Sequence, residues 1–318
     1  MRSRLLRWFD VARRDLPWRQ DHDPYRVWIS EIMLQQTRVA AVLGHYERFL
    51  ARFPNVEALA RVRLSSVLAV WSGLGYYRRA RLMHQASRRI VHDGFPADAA
   101  SWQRLPGIGR YTAAAIASIC HGERCAVVDG NVKRVLARLL GAAPRDAWAV
   151  ADELLSRARP GDFNQAMMEL GATVCTPRAP VCDRCPIASL CRSCANIGKP
   201  PRSVTTPRGK SKVVYGLLVD SGRVFLTQRD PRASVMPGLW ELPAVSDGLT
   251  TGDTEDTAIM LRHSIMNTDY VVTVVRLPPE HATEFSGRWF PLQRAAALPL
   301  TGLARKVMRR FGLLNHSD

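Results

Sequence analysis

The chain lacks any apolar run long enough to span a membrane, and it is poor in acidic residues. Its 318 residues include 28 Asp and Glu against 45 Lys and Arg, so the formal net charge is +17. With neither a membrane-length segment nor a long basic amphipathic helix, an anionic membrane surface is the weaker candidate partner. Most of the positive side chains are arginines, which bind phosphate through a fork of donors. The composition therefore indicates a nucleic-acid partner.

The sequence also lacks a secretory signal, an internal repeat and a low-complexity tract. A chain without such a signal is expected in a reducing compartment, where disulfides are rare. We therefore expect a cytoplasmic, nucleoid-associated monomer. Its seven cysteines should serve purposes other than disulfide bonds.

Four of the cysteines fall within residues 175–191, with the spacing Cys-x6-Cys-x2-Cys-x5-Cys. Prolines interrupt this stretch, so it cannot form a continuous helix, and the four thiolates can converge on one inorganic centre. The spacing favours an iron–sulfur cluster. Structural zinc is the alternative, but zinc sites usually pair two Cys-x2-Cys knuckles, and this stretch contains one. The predicted ligands are Cys175, Cys182, Cys185 and Cys191; Cys120, Cys125 and Cys194 are not expected to be ligands.

The apolar pattern divides the chain into two parts. Apolar residues before the middle of the chain recur at three- and four-residue steps, which indicates helices. Later runs such as 213–220 are short and β-like. Between them, 196–212 is rich in Pro, Gly, Ser and basic residues, as linkers are. We predict an α-helical domain at 1–195, a linker at 196–212 and a smaller α+β domain at 213–318.

A glycine-rich turn, residues 105–109 with the sequence LPGIG, stands between two helical segments. Gly107 and Gly109 allow a tight turn and a close approach to a partner, and the following helix start can bind a phosphate. This arrangement predicts a helix-hairpin-helix motif, although Pro-Gly-x-Gly is also a common turn. Further along, Asp129 begins another helix, where an N-terminal cap is its ordinary role.

The hairpin, the acid and the four-cysteine loop, in this order, resemble the helix-hairpin-helix DNA glycosylase superfamily with its [4Fe–4S] branch. More narrowly, the chain resembles MutY-type adenine-DNA glycosylases, almost without interruption from Leu16 to Cys191. The C-terminal part resembles that family's Nudix-like domain more loosely, and a complete Nudix hydrolase box is missing from it. The segments that carry the resemblance are 16–19, 23–39, 71–81, 105–118, 127–138 and 163–175, with 224–229 and 237–243 in the second part.

The resemblance implies two catalytic acids. Glu31 would protonate adenine at N7, and Asp129 would stabilise the positive charge that develops on the sugar. Glu31 lies in the apolar run 28–34, where desolvation should raise its pKa and keep it protonated near neutrality. Asp129, beside the amides of a helix start, is expected to be ionised. The alternative for Glu31 is a buried ion pair with Arg26 or Arg38.

The resemblance also implies roles for other residues. Tyr111 would contact the catalytic centre, and Asn131 would orient groups near Asp129. Ordinary packing or a solvated helix face is the alternative for the aromatic and acidic members of the set. The remaining positions would surround a flipped-out adenine or the DNA near it: Trp18, Arg19 and Glu169 in the adenine pocket, Gln36 and Tyr76 as wedges in the base stack, Thr37 and Leu74 at the opposing base, and Gly107 and Gly109 at the hairpin.

One loop departs from the family pattern. Relatives use a Phe-Ser-His triplet to recognise 8-oxoguanine, and the corresponding positions here are Ile265, Met266 and Asn267, preceded by Ser264. Isoleucine and methionine cannot supply the hydrogen bonds of a serine hydroxyl. We therefore expect a weaker preference for 8-oxoguanine, unless Ser264 or Asn267 provides the missing bond.

These observations predict a monofunctional DNA glycosylase that removes adenine paired with 8-oxoguanine or guanine in duplex DNA. The cofactor implied is a [4Fe–4S] cluster. An endonuclease III-like glycosylase/lyase is the nearest alternative, but it needs a Schiff-base lysine where this chain has Tyr111. A DNA-binding iron–sulfur protein without catalysis is the other alternative, against which the two acids argue.

Overall fold

The computed structural model describes residues 1–194, 209–233, 235–245, 259–265 and 268–314. The chain divides into two compact units. The first unit comprises Met1–Arg61 and Leu82–Ser203, and the second comprises Val62–Arg81 and Val204–Asp318. A short segment of the N-terminal half, 62–81, thus belongs with the C-terminal residues.

The described residues before the cysteine loop are helical, as predicted. In chain order the helices are α1 Arg2–Ala12, a 3₁₀ turn Pro17–Arg19, α2 Pro24–Leu34, α3 Val39–Arg52, α4 Val56–Arg61, α5 Leu64–Trp71, α6 Arg78–Asp93, α7 Ala99–Gln103, α8 Arg110–His121, α9 Gly130–Leu140, α10 Ala147–Leu154 and α11 Pro160–Thr173. Short 3₁₀ turns follow at Cys182–Arg184 and Ala188–Leu190. Helix α5 and the first residues of α6 fall in the second unit.

Aspartates set the start of several helices in the first unit. The side chains of Asp23, Asp98, Asp129 and Asp146 accept backbone N–H groups at the starts of α2, α7, α9 and α10. Each bond satisfies a donor that has no partner within its helix. The start of α9 is therefore fixed by a residue that the sequence analysis also names as catalytic.

A hydrophobic core beneath α1, α9 and α11 supports the cysteine loop. Phe9, Leu136 and Phe163 are buried in this core, and Cys175, Cys185 and Cys191 pack against its edge. Apolar burial of this kind is the main stabilising contribution to a helical domain. The loop is therefore attached to the same core that carries α9 and α11.

The described part of the second unit is α+β, which confirms that prediction. Its strands are β1 Gly209–Leu217, β2 Val219–Asp220, β3 Arg223–Gln228, β4 Trp240–Glu241, β5 Ala244–Val245, β6 Ile259–Ile265, β7 Thr268–Arg276 and β8 Gly287–Pro291, with helices α12 Leu292–Ala295 and α13 Gly302–Arg310. One sheet has the order β5-β1-β7-β6, in which β1 and β7 are parallel. In the other, β3 lies between β4 and β8 and also pairs with β2.

Within the second unit, the segment after α5 is bonded to residues near the C-terminus. The Ser72 hydroxyl donates to the Leu300 carbonyl at 3.0 Å, and the Tyr77 hydroxyl approaches the same oxygen at 3.3 Å. The buried Arg305 donates from Nε to the Ser72 hydroxyl at 3.1 Å. Strand β1 begins at Gly209, four residues before the predicted start of the second domain (213). The boundaries 1–195, 196–212 and 213–318 remain a prediction.

No helix among the described residues is both long enough and apolar enough to cross a membrane.

Candidate active site and cysteine loop

The predicted catalytic and adenine-pocket residues meet at one cavity of the first unit. Its volume is about 190 Å³. The cavity walls come from the 3₁₀ turn at 17–19 and from α2, α8, α9 and α11. Among the predicted residues, those that line it are Trp18, Arg19, Glu31, Thr37, Tyr111, Asp129, Asn131 and Glu169.

Glu31 is held in the interior of α2, with 6% of its surface exposed. Its pKa is raised from the ordinary value to about 7. Burial is the largest cause; a hydrogen bond with Tyr111 acts in the opposite direction, and the charge of the nearby Asp129 adds to the rise. The predicted alternative of an ion pair with Arg26 is wrong, because Arg26 donates to Asp21 at 2.9 Å. The site thus contains a carboxyl group that carries its proton near neutral pH.

Asp129 combines a cap with a place in the cavity. One carboxylate oxygen accepts the Val132 N–H at 2.7 Å, and the other accepts the Asn131 side-chain amide at 2.9 Å. Asn131 in turn accepts a bond from Arg134 at 2.8 Å. Three residues therefore fix the orientation of this carboxylate, and Asn131 has the orienting position that the resemblance implied.

Tyr111 lies in the first turn of α8 and reaches Glu31. Its hydroxyl donates to the Met168 sulfur at 3.0 Å, and a hydrogen bond also links it to the Glu31 carboxyl. Burial is the main reason that its pKa lies well above the ordinary value. Tyr111 is therefore a neutral hydroxyl beside the acid at neutral pH.

Glu169 is a buried carboxylate bound by two arginines. Arg14 donates to both carboxylate oxygens, at 2.7 and 2.8 Å, and Arg19 donates at 2.9 Å. Burial would raise the pKa of Glu169, but the bonds and charges of Arg14 and Arg19 outweigh that effect and hold it at about 2. Arg14 was not predicted to belong to the site, although its position in the basic run before Leu16 could have indicated it.

The hairpin motif has the backbone that its glycines suggested. Gly107 has a φ of +79°, and a Cβ at this residue would lie 2.7 Å from the Leu82 Cβ, so a larger residue does not fit. Gly109 is the N-terminal cap residue of α8, and the space where its Cβ would stand is open. The start of α8 is thus accessible to a partner.

The residues predicted to touch DNA differ in exposure. Gln36 is exposed, with a left-handed φ of 57°. Tyr76 has a φ of 48° and is 49% exposed. Such backbone conformations are strained for side chains other than glycine and are concentrated at functional sites. Leu74, in contrast, is only 5% exposed, so little of its side chain is available to a base.

The lesion-recognition loop is described only in part. Strand β6 ends at Ile265, which pairs with Thr268 of β7. The Ser264 hydroxyl donates to the Asp269 carboxylate at 2.6 Å. Met266 and Asn267 lie outside the described residues.

The cysteine loop is fastened to α9 through two arginines. Arg138 donates to the carbonyls of Thr176 and Pro177 at 2.8 and 3.0 Å, and to the Cys175 sulfur at 3.3 Å. Arg134 donates from Nε to the Cys175 carbonyl at 2.9 Å. Because Arg134 also contacts Asn131, one side chain joins the loop to the cavity wall. Neither arginine was predicted to have a role.

The thiols of the loop fit a [4Fe–4S] cluster. Cys182 and Cys185 interact electrostatically with Cys175, and Cys185 also with Cys191. A four-iron cluster binds each thiolate through a different iron and so spreads its ligands wider than one zinc ion does. When bound, the cluster would supply four bonds that close the loop.

The two cysteines outside the loop behave as small buried side chains. Burial raises the pKa of both Cys120 and Cys125 to about 12. Thiols with such pKa values remain protonated and make poor ligands. The seventh cysteine, Cys194, lies near Cys182, and its predicted absence from the ligand set stays a prediction.

Comparison with known families gives two matches, both before residue 195. Residues 29–160 match the family described as HhH-GPD superfamily base excision DNA repair protein. The match lies within the helical part of the chain and covers residues that line the cavity, including Glu31, Tyr111 and Asp129. Residues 175–191 match the iron–sulfur binding domain of endonuclease III. The predictions of a helix-hairpin-helix glycosylase fold and of a [4Fe–4S] loop are therefore confirmed.

Curated proteins similar to this chain include adenine DNA glycosylases. The one from Rattus norvegicus is 47% identical over 218 residues, which are 62% of this chain and 42% of the relative. The one from Arabidopsis thaliana is 38% identical over 298 residues, which are 77% of this chain and 47% of the relative. The chain thus spans less than half the length of these relatives.

Solved structures share the HhH-GPD fold. A thermostable thymine-DNA glycosylase aligns with a TM-score of 0.57 and 29% identity, over 61% of this chain and 94% of that chain. A trapped endonuclease III–DNA covalent intermediate aligns with a TM-score of 0.53 and 22% identity, over 61% of this chain and 93% of that one. The second likeness shows the fold alone.

Proposed function

We propose that this protein is an adenine-DNA glycosylase, which hydrolyses the N-glycosidic bond of adenine paired with 8-oxoguanine or guanine in duplex DNA. The observation that carries the proposal is the pair of carboxyl groups on one cavity, Glu31 and Asp129. Glu31 has a pKa of about 7, and Asp129 is fixed by two N–H donors. The similarity to curated adenine DNA glycosylases supports the choice of base.

The two acids divide the chemistry between them. Adenine is a poor leaving group until a proton neutralises the charge that develops on it, and the protonated Glu31 is the donor for N7. As the bond breaks, positive charge accumulates on the sugar, and the Asp129 carboxylate stabilises that charge electrostatically. Asn131 orients Asp129, and Tyr111 positions the Glu31 carboxyl.

In this proposal, the adenine base is recognised by the residues of the 3₁₀ turn Pro17–Arg19. Arg19 and Trp18 lie on the 3₁₀ turn that lines the cavity, and Glu169 holds the Arg19 guanidinium in place at 2.9 Å. Trp18 offers an aromatic face on which a flipped-out base can stack. In this proposal Glu169 acts on adenine mainly through Arg19, because Arg14 and Arg19 already occupy its oxygens.

The reaction stops at base removal. A lyase needs an amine that attacks C1′ of the sugar, and no lysine is among the described residues that line the cavity. Tyr111 stands where the lyase alternative needs that amine. The product is therefore an abasic site in an otherwise intact strand.

The rest of the protein is proposed to hold the duplex. The net charge of +17 favours a polyanion, and the open helix start after Gly109 suits a phosphate. Gln36 and Tyr76 are the side chains proposed to fill the stack after the base has left it. We further propose that the enzyme acts as a monomer on nucleoid DNA.

The test is single-turnover excision from end-labelled duplexes at one fixed salt concentration. Wild-type protein should release adenine opposite 8-oxoguanine and guanine, and should leave thymine and uracil in place. Glu31→Gln and Asp129→Asn should still bind duplex but release adenine at least about 10² to 10⁴-fold more slowly. Excision within tenfold of wild type by either variant would show that the residues are wrong.

A matched control separates catalysis from helix capping. Asp146 caps α10 as Asp129 caps α9, through bonds to Trp148 and Ala149 at 2.8 and 3.2 Å, and it does not line the cavity. Asp146→Asn should therefore lose some stability and retain excision. Equal losses in the two variants would assign Asp129 a structural role only.

A further inference from the structure

Cys194 lies beside the cysteine loop but outside its four-residue motif, and outside the matched iron–sulfur domain, which ends at residue 191. Its thiol lies near that of Cys182, and it also interacts electrostatically with Cys185. In sequence it forms a second Cys-x2-Cys pair with Cys191. The loop therefore holds five neighbouring thiols, one more than a [4Fe–4S] cluster binds.

The backbone holds Cys194 in this position. The N–H groups of Arg192 and Ser193 donate to the carbonyls of Leu139 and Arg138, at 3.1 and 3.2 Å, at the end of α9. The Cys194 N–H closes a turn onto the Cys191 carbonyl at 3.3 Å. These bonds satisfy carbonyls that a helix end leaves free, so Cys194 is attached to the same support as the loop.

Cys182 is the least anchored of the four motif cysteines. Cys175, Cys185 and Cys191 pack against the core beneath α9 and α11, whereas Cys182 does not. It begins a short 3₁₀ turn, next to Val181, which is 38% exposed. The ligand that the core secures least is thus the one that contacts the spare thiol.

We propose that Cys194 is a reserve ligand, which can replace Cys182 on the iron–sulfur cluster. The exchange is a ligand substitution at one iron. A bond from iron to the Cys194 sulfur forms while the bond to the Cys182 sulfur breaks, and the proton of the Cys194 thiol ends on the released Cys182 thiol. No electrons are transferred, so the exchange needs no oxidant or reductant. The proposal does not depend on the base that the enzyme removes.

The first test measures iron and acid-labile sulfide per folded chain in purified variants, with the EPR spectrum recorded after one-electron reduction or oxidation of the cluster. Cys182→Ala should keep at least about half of the wild-type iron, with altered EPR values, because Cys194 completes the set. Cys194→Ala should keep all of it, and the double variant should lose nearly all. Cys175→Ala is the matched control: its sulfur packs on the core and accepts a bond from Arg138, so the spare thiol should not replace it and iron should be lost. Equal loss of iron in Cys182→Ala and the double variant would overturn the proposal.

The second test needs no variant, in case Cys182→Ala does not fold. Wild-type protein with its cluster is alkylated with iodoacetamide, and the labelled cysteines are mapped by mass spectrometry. Exchange predicts label on Cys194 in some molecules and on Cys182 in others, with Cys185 protected in both. Label confined to Cys194 would show that the two thiols do not exchange. Purification with zinc and no iron would also refute the proposal.

Discussion

Glu31 and Glu169 lie on the walls of the same cavity, yet the pKa values of their carboxyl groups are shifted in opposite directions. Burial raises the pKa of Glu31 to about 7. For Glu169, burial has the same tendency, but Arg14 and Arg19 reverse it and hold the pKa at about 2. One cavity therefore contains a carboxylic acid and a carboxylate at neutral pH, which is the combination that acid-assisted bond cleavage needs.

The raised pKa of Glu31 predicts a specific dependence of stability on pH. Between the ordinary value of 4.5 and the folded value of about 7, the folded protein binds the proton more tightly than the unfolded chain does. The stability contributed by Glu31 is therefore complete below 4.5 and is lost as the pH rises through about 7, by roughly 3 kcal/mol.

Glu31→Gln should remove this dependence, because glutamine does not ionise. Thermal unfolding of wild type and variant, compared at about pH 5 and about pH 8, should show the variant gaining stability relative to wild type at the higher pH. Wild-type excision should fall over the same range, as the proton donor is lost. Parallel stability curves for the two proteins would contradict the shifted pKa.

Arg14→Gln should weaken the hold on Glu169. The low pKa of Glu169 contributes stability that is present above its ordinary value of 4.5 and is lost as the pH falls through about 2. With Arg19 alone the pKa rises, so acid unfolding of the variant should begin at a higher pH than in wild type. The apparent KM for the adenine duplex should also rise, because Arg19 is less firmly placed.

Arg13→Gln provides the control for this change. Arg13 is the neighbouring arginine; it is exposed and lies over the Phe9 ring at 5.8 Å. Its removal alters the net charge equally but leaves Glu169 untouched, so the acid unfolding midpoint should match that of wild type. A shift of the same size in both variants would assign the effect to charge alone.

Borohydride trapping should separate the proposed monofunctional reaction from the lyase alternative. Wild-type protein has a hydroxyl at Tyr111, so it should form no stoichiometric adduct with DNA, and strand breaks should require alkali or heat. Tyr111→Lys places an amine in the same cavity and should give some trapping. Tyr111→Phe, which adds no amine, is the control. Efficient trapping by wild type would revive the lyase alternative.

The altered lesion-recognition loop predicts reduced discrimination between 8-oxoguanine and guanine. Each well-formed hydrogen bond to a base contributes about 1 to 3 kcal/mol of discrimination, and Ile265 has no polar side-chain group. Replacing Ile265, Met266 and Asn267 with Phe-Ser-His should therefore widen the ratio of excision rates opposite the two bases. Ser264→Ala tests the neighbouring hydroxyl, which already donates to Asp269. A wild-type ratio equal to that of the triplet variant would refute the inference.

The features that depend on local chemistry could be predicted from the sequence. Asp129 caps α9 because a carboxylate can accept the N–H of a residue three positions later. The apolar run around Glu31 was sufficient to predict its burial and the direction of its pKa. The cysteine spacing predicted the cluster loop, and the glycines predicted the hairpin turn, because each depends on residues within one short stretch.

Which distant residues meet could not be predicted from the sequence, because it depends on how the helices pack. Arg14 and Glu169 are 155 residues apart, and no periodicity connects them. The arginine bonds that lower the pKa of Glu169 could therefore not be predicted from the sequence. The same holds for the placement of 62–81 in the second unit and for the contact of Cys194 with Cys182. Local pattern sets which face of a helix is apolar, but the packing of several helices at once sets which polar side chains share a cavity.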